Sequence, residues 1–136
     1  MSVELLARGF AGWGRDNPAG LRELLHLDCE LLVPESLPYG GTFHGAHAAI
    51  TWFTRDLWRW FDEFTSTPED VIDAGDRIVV PVHVQARART GTPVDVHNVW
   101  IYDFNEGKLT RMRVYADTAV LRDAVEGACA PILGGR

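Results

Sequence analysis

Lysine is almost missing from this chain. Lys108 stands alone against twelve arginines, and the thirteen basic residues are outnumbered by nineteen acidic ones, for a net charge of −6. No polybasic face exists to neutralise a run of phosphates, which excludes nucleic acid as the expected partner. No apolar run approaches the ~20 residues a membrane-spanning helix needs, so no membrane partner is expected. The opening "MSVELLARGF" carries an acid and has no basic start followed by a long apolar segment, so no signal peptide is expected. Only two cysteines occur, Cys29 and Cys129, a hundred positions apart and without metal-type spacing. They read as free thiols in a reducing cytoplasm. There is no Gly-rich phosphate loop, no nucleophile elbow and no Cys–His motif.

What is present is an ordinary globular composition, 46% hydrophobic and 24% charged. The length supports one core. Residues 1–136 are expected to form a single domain. Leu5, Leu6, Phe10 and Trp13 recur at helical spacing, which predicts a helix from Ser2 to about Trp13. A second begins at Asn17, a good N-cap, with Pro18 in the first turn. "CELLVPE" predicts a strand ending at Pro34, and "SLPYGGTFHG" a loop. Ala46, Ala49, Ile50, Phe53, Leu57, Trp60 and Phe61 form one stripe of a third helix, with Trp58 off it. Beyond Phe61 the period changes to two. "RIVVPVHVQARA", "VDVHNVWIYDF" and "KLTRMRVYAD" predict strands joined by turns at "TGTP" and "NEG". Pro81 suggests a bulge or an edge in the first of these. Asp117 would cap a last helix. The class is α+β: three N-terminal helices packed on a strongly bent antiparallel sheet, a cone.

Alternation decides which groups face inward. Val94, Val96, Asn98, Trp100, Tyr102 and Phe104 form the more apolar row of their strand, so this row should face the core. A hairpin near Glu106 would then set Trp100 opposite Met112 and Asn98 opposite Val114, and paired residues share a face. Met112, Val114 and Ala116 would point in. Arg111, Arg113 and Tyr115 would point out, beside Val99 and Ile101. That mixed apolar and charged face is suited to a second copy, so a homodimer through the outer sheet face is expected.

The helix pair, "FHGAHAAITWF", "DAGDRIVV", "TGTPVDV" and "VW…GKLTRMRVYADT" together resemble the SnoaL-like branch of the nuclear transport factor 2-like superfamily, the cone fold of ketosteroid isomerases. The resemblance covers almost the whole chain. It implies a small-molecule protein, and the fold hosts isomerases, cyclases, hydrolases and plain binding modules. It also places the acids and the tyrosine of family enzymes at Val33, near Gly9, near Trp100 and near Val114, none of which is ionisable here.

The remaining candidates each carry two readings. Asn98 and the Trp100 indole would donate to a carbonyl, or be satisfied polar groups of the core. A two-residue shift of the alignment around His97 would make His97, not Asn98, the polar group facing the pocket, as the SnoaL-like branch often has it. Glu35 would act as a general base or be a solvated loop acid. Asp117 would reach the rim or serve as an N-cap. Trp13, Phe53, Val33, Met112 and Val114 would wall the pocket or be core. His44 and His47 are three apart but have no third ligand, and no metal site is assigned. The resulting expectation is an enzyme of isomerase, cyclase or dehydratase type. It would act without a cofactor on an apolar carbonyl compound such as a polyketide. The alternative is a non-catalytic small-ligand-binding or dimerising protein.

Overall fold

The computed structural model describes residues 19–126. The expected first helix, with Trp13, and the Asn17–Pro18 start of the second lie outside the described residues. Within them the chain runs α1 (Ala19–Leu24), β1 (Leu25–Val33), β2 (Gly41–His44), α2 (Ala46–Thr51), β3 (Phe61–Pro68), β4 (Ile72–Asp73), β5 (Arg77–Ala88), β6 (Pro93–Asn105), β7 (Lys108–Tyr115) and α3 (Thr118–Glu126). The seven strands form one sheet in the order β2-β1-β7-β6-β5-β3, with β4 added beside β5. The class is α+β, with a curled, unclosed sheet. All pairings are antiparallel except β1 with β7, which is parallel. The core gathers on the inner face, where Val80, Val82, Val84, Tyr102 and Met112 are fully buried.

The β5–β6 ladder is the spine. It pairs without interruption from Arg77 opposite Asp103 to Arg87 opposite Pro93. Pro81 lies inside it and is neither an edge nor a bulge. The Glu69 N–H donates to the Pro81 carbonyl at 2.8 Å, so the backbone of Pro81 faces away from β6. On that side β3 ends at Pro68, opposite Val82, and β4 begins at Ile72, opposite Val79. The missing N–H of Pro81 therefore falls in the gap between two short partners, where it costs no ladder bond.

Three other expectations are corrected. The stretch expected to be all loop contains β2, whose Phe43 pairs with Leu31. The third helix is not regular to its end: after Thr51 it widens into a π turn over Trp52–Asp56 and tightens into a 3₁₀ turn over Leu57–Arg59. The wide turn buries Trp52, which lies off the predicted stripe. The last hairpin is tighter than expected. Glu106 and Gly107 both have positive φ, 52° and 78°. They make a two-residue turn that leaves Asn105 opposite Lys108. An irregularity after Asp103 adds a further residue, so Trp100 pairs with Val114 and Tyr102 with Met112. The shift is an even number of residues, so the predicted faces survive. Leu109 lies on the turn side of the irregularity and is fully buried, unlike the arginines that follow it in its row.

The loop from Pro34 to Gly40 folds back on itself, with Leu37 N–H on the Pro34 carbonyl at 3.1 Å and Gly40 N–H on that of Leu37 at 2.9 Å. A Cβ on Gly40 would stand 1.8 Å from the Pro34 carbonyl oxygen. Backbone has to move to admit it. Gly40→Ala is expected to destabilise the protein by about 1–3 kcal/mol; an unchanged urea midpoint would show that the loop does not pack this way.

Candidate functional site

A cavity of about 380 Å³ lies between the inner face of the sheet and the helices. Its size is within the range of small-molecule sites, about 300–1,000 Å³. Val33 enters from the end of β1, and Leu37 and Tyr39 from the folded loop. Phe53, Thr54, Leu57 and Trp58 come from the irregular turns after α2. Asn98 and Trp100 rise from β6, and Val114 and Ala116 from the end of β7.

Aromatic packing stiffens this wall. Phe53 meets Trp52 edge-on at 4.9 Å and lies 5.9 Å from Trp100, which stacks on Tyr102 at 5.7 Å. The Trp52 indole N–H donates to the Tyr39 carbonyl at 2.8 Å and ties the loop to the π turn. The Trp58 indole N–H donates to the Phe53 carbonyl at 2.9 Å. Both indoles are thus committed to backbone.

Two polar groups of the lining are not committed. The Tyr39 hydroxyl and the Asn98 Oδ1 are buried without a hydrogen-bond partner among the described residues. Each such group costs about 1–3 kcal/mol in a finished core. Two such groups belong to residues that line one cavity, so a partner is needed from outside the described residues. Burial pushes the Tyr39 phenol well above its ordinary range, so it remains a neutral donor. Rotation of the Asn98 amide lets it offer either a carbonyl or an N–H.

The remaining candidates distribute as follows. Asn98, and not His97, faces the cavity; it is 5% exposed and pairs with Val82 on the inner face. His97 is corrected to the outer face, where it is exposed and its Nδ1 is 2.9 Å from the Glu69 carboxylate. Met112 is fully buried and does not line the cavity, because the tight hairpin sets Val114 opposite Trp100 instead. Glu35 is exposed on the loop and is absent from the lining. Asp117 is exposed, and its Oδ1 accepts from the Val120 N–H at 3.3 Å. That bond makes it the N-cap of α3. Among the described lining residues none is acidic, basic or a histidine. Cys29 is buried in β1, where desolvation raises its thiol to about 11, so it is not a nucleophile. The sequence pattern does not single out Tyr39. Its one signal is an aromatic residue between Pro38 and two glycines, where a solvated loop has little use for one.

The chain belongs to the SnoaL-like domain family, whose model matches residues 6–112. The uncharacterized protein Rv0034 of Mycobacterium tuberculosis is 27% identical over 118 residues, covering 86% of this chain and 90% of that one. An NTF2-like protein of unknown function from Burkholderia pseudomallei superposes with a TM-score of 0.85 at 24% identity, covering 91% and 96% of the two chains. TerC, co-crystallized with polyporic acid, superposes with a TM-score of 0.83 at 26% identity, covering 92% and 98%.

The outer placement of His97 has a measurable consequence. Its hydrogen bond to Glu69, with the charge of that carboxylate, raises its pKa above the ordinary 6.5. A histidine whose folded pKa is raised stabilises the fold fully below the unfolded pKa. That contribution is lost as pH rises through the folded pKa. An NMR titration of His97 should therefore show a midpoint above 6.5 that falls toward it in Glu69→Gln; a midpoint at or below 6.5 in the unaltered chain would show that the pair does not form.

Proposed function

We propose that the protein binds a flat, apolar small molecule bearing a carbonyl, and that it acts as a ligand-binding member of its family and not as an acid–base isomerase. The observation that carries this reading is the cavity itself: mainly aromatic and aliphatic walls with a few hydroxyls, two buried neutral polar groups without a partner, and no carboxylate, amine, guanidinium or imidazole among the described lining residues. The Tyr39 hydroxyl would donate to the ligand carbonyl, and the Asn98 amide would complement a second polar atom. A charged ligand would lose its hydration without gaining a counter-charge, at a cost of roughly several kcal/mol. Co-crystallization of TerC with polyporic acid supports an organic ring compound of this scale as the ligand. The alternative, an isomerase, cyclase or dehydratase, requires a group that moves a proton. Carbonyl polarisation by Tyr39 and Asn98 alone would leave it without a base.

We propose further that two copies pair through the outer face of the sheet. Tyr115 is 57% exposed there, opposite Val99, and Ile101 lies opposite Arg113.

Binding is read from tryptophan fluorescence, since Trp52, Trp58 and Trp100 all line the cavity. Neutral aryl ketones and quinones are the ligands to titrate, with polyporic acid, an acidic hydroxyquinone, as the anionic control. Saturable quenching is expected, weakened about tenfold by Tyr39→Phe, the value of one hydrogen bond of about 1.4 kcal/mol. Asn98→Leu should lower affinity while raising the stability of the empty protein by about 1 kcal/mol, because it removes an unsatisfied buried amide. Saturable binding of anions alone would overturn the reading. Protein-catalysed deuterium exchange next to the ketone carbonyl would favour the enzyme.

For the pairing, sedimentation should give a dimer at micromolar concentration that Tyr115→Glu shifts toward monomer. A monomeric unaltered chain would rule it out.

A further inference from the structure

The outer face of the β5–β6 ladder carries a second cluster, on the opposite side of the sheet from the cavity. His83 and His97 are cross-strand partners. Their rings stack 4.7 Å apart with only 10° between the planes. Two residues before His97, on the same face, Asp95 places its Oδ1 2.7 Å from His83 Nε2. From the end of β3, Glu69 holds His97 Nδ1 at 2.9 Å. One donor atom each from His83, Asp95 and His97 lie within 4.8 Å of one another.

We propose that His83, Asp95 and His97 form a binding site for a first-row divalent metal ion such as zinc, with Glu69 orienting His97. Two imidazoles and a carboxylate are a donor set zinc accepts, with a fourth position left to water. Bonds of about 2.0–2.1 Å put neighbouring ligand atoms of a tetrahedral zinc site roughly 3.4 Å apart. An ion has to lie in the plane of each ligating imidazole, so binding would turn the two rings out of their present stack by rotation of the side chains. The ladder favours convergence. Because the backbone of Pro81 faces away from β6, so does that of His83 two residues on. His83 and His97 are then a non-hydrogen-bonded pair, the kind whose side chains stand closer. Glu69 on Nδ1 leaves His97 Nε2 for the metal, the carboxylate–histidine–metal arrangement that fixes a ligating ring.

The competing reading is a pair of ordinary surface ion pairs, His83 with Asp95 and His97 with Glu69, which would take up no metal. Calorimetric titration of the full chain, free of any polyhistidine tag, with zinc chloride separates the two. One equivalent should bind saturably and raise the thermal midpoint. His83→Gln/His97→Gln should abolish both effects, and Glu69→Gln should weaken binding about 10–100-fold, as loss of an orienting partner does. Each variant is compared with its own melting point in chelator, so that loss of the His97–Glu69 pair is separated from loss of the zinc-dependent rise. Substitution with cobalt should give a visible spectrum without a thiolate charge-transfer band, which excludes Cys29 and Cys129 as ligands. No saturable zinc uptake would overturn the proposal. Undiminished uptake by the double variant would also overturn it, and would move the metal to His26, His44 or His47.

Discussion

The uninterrupted pairing of β5 with β6 determines nearly everything else. Along a strand the side chains alternate, so once Val82 is paired with Asn98 the two faces of the sheet are assigned for eleven consecutive partners. Val80, Val82 and Val84 go in with Val96, Asn98 and Trp100; His83 and His97 go out. A slip of one residue would exchange Asn98 for His97 in the cavity and put three valines in water. The fully buried valines prevent it, since each would forfeit about 1.5–3 kcal/mol of burial. The neutrality of the cavity is thus enforced by hydrophobic residues that do not themselves touch a ligand.

The cavity is then a place where packing is left incomplete. The rest of the inner face is closed by Tyr102, Met112 and Leu109, all fully buried. Around the cavity the chain departs from regular structure in two segments. The π turn at Trp52–Asp56 brings Trp52 and Phe53 together edge-on, and the folded loop before β2 carries Tyr39 onto Trp52. Each departure is secured by a backbone or indole hydrogen bond, so the wall is stiff although its secondary structure is irregular. Stiff walls limit how far the protein can collapse onto empty space. They leave the Tyr39 hydroxyl and the Asn98 oxygen without a partner among the described residues.

How much of this is legible beforehand follows from range. Alternation is local, so the inward row of β6 and the outward placement of Arg111, Arg113 and Tyr115 can be read in "VDVHNVWIYDF" and "KLTRMRVYAD". The register between them cannot. It depends on a two-residue turn at Glu106–Gly107 and on an irregularity after Asp103, each worth one residue, and neither changes the pattern of apolar and polar letters. Alternation alone therefore sets Met112 opposite Trp100, where its neighbour in the same row, Val114, stands. Strand β2 is hidden because its four residues follow Gly40 and carry only Phe43 as an apolar signal. The π turn is hidden because a wide turn breaks the spacing that a helical stripe relies on, and Trp52 falls off the stripe for that reason. Tyr39 is hidden because its burial is set by tertiary contacts with Trp52 and Phe61, distant in sequence.

The two faces of one sheet end up with opposite electrostatics, and the division has a physical cause. Outside, every arginine of the strands has an acid within reach: Arg77 and Arg113 share Asp103, Arg111 meets Glu30, and Arg87 meets Glu63. Such exposed pairs add little stability, but they keep charge hydrated and matched. Inside, a single unpaired ion would cost several kcal/mol, more than the margin one neutral hydrogen bond supplies. At Val33 and Val114, both on the cavity wall, this chain has side chains that need no counter-charge. A phenol and an amide are then the strongest polar groups the cavity can hold in the empty state. Both are neutral hydrogen-bonding groups, and burial drives the phenol's pKa upward, away from proton release near neutral pH. Apolar walls and the absence of a carboxylate, imidazole or amine among the described lining residues are thus two sides of one constraint, the cost of burying charge.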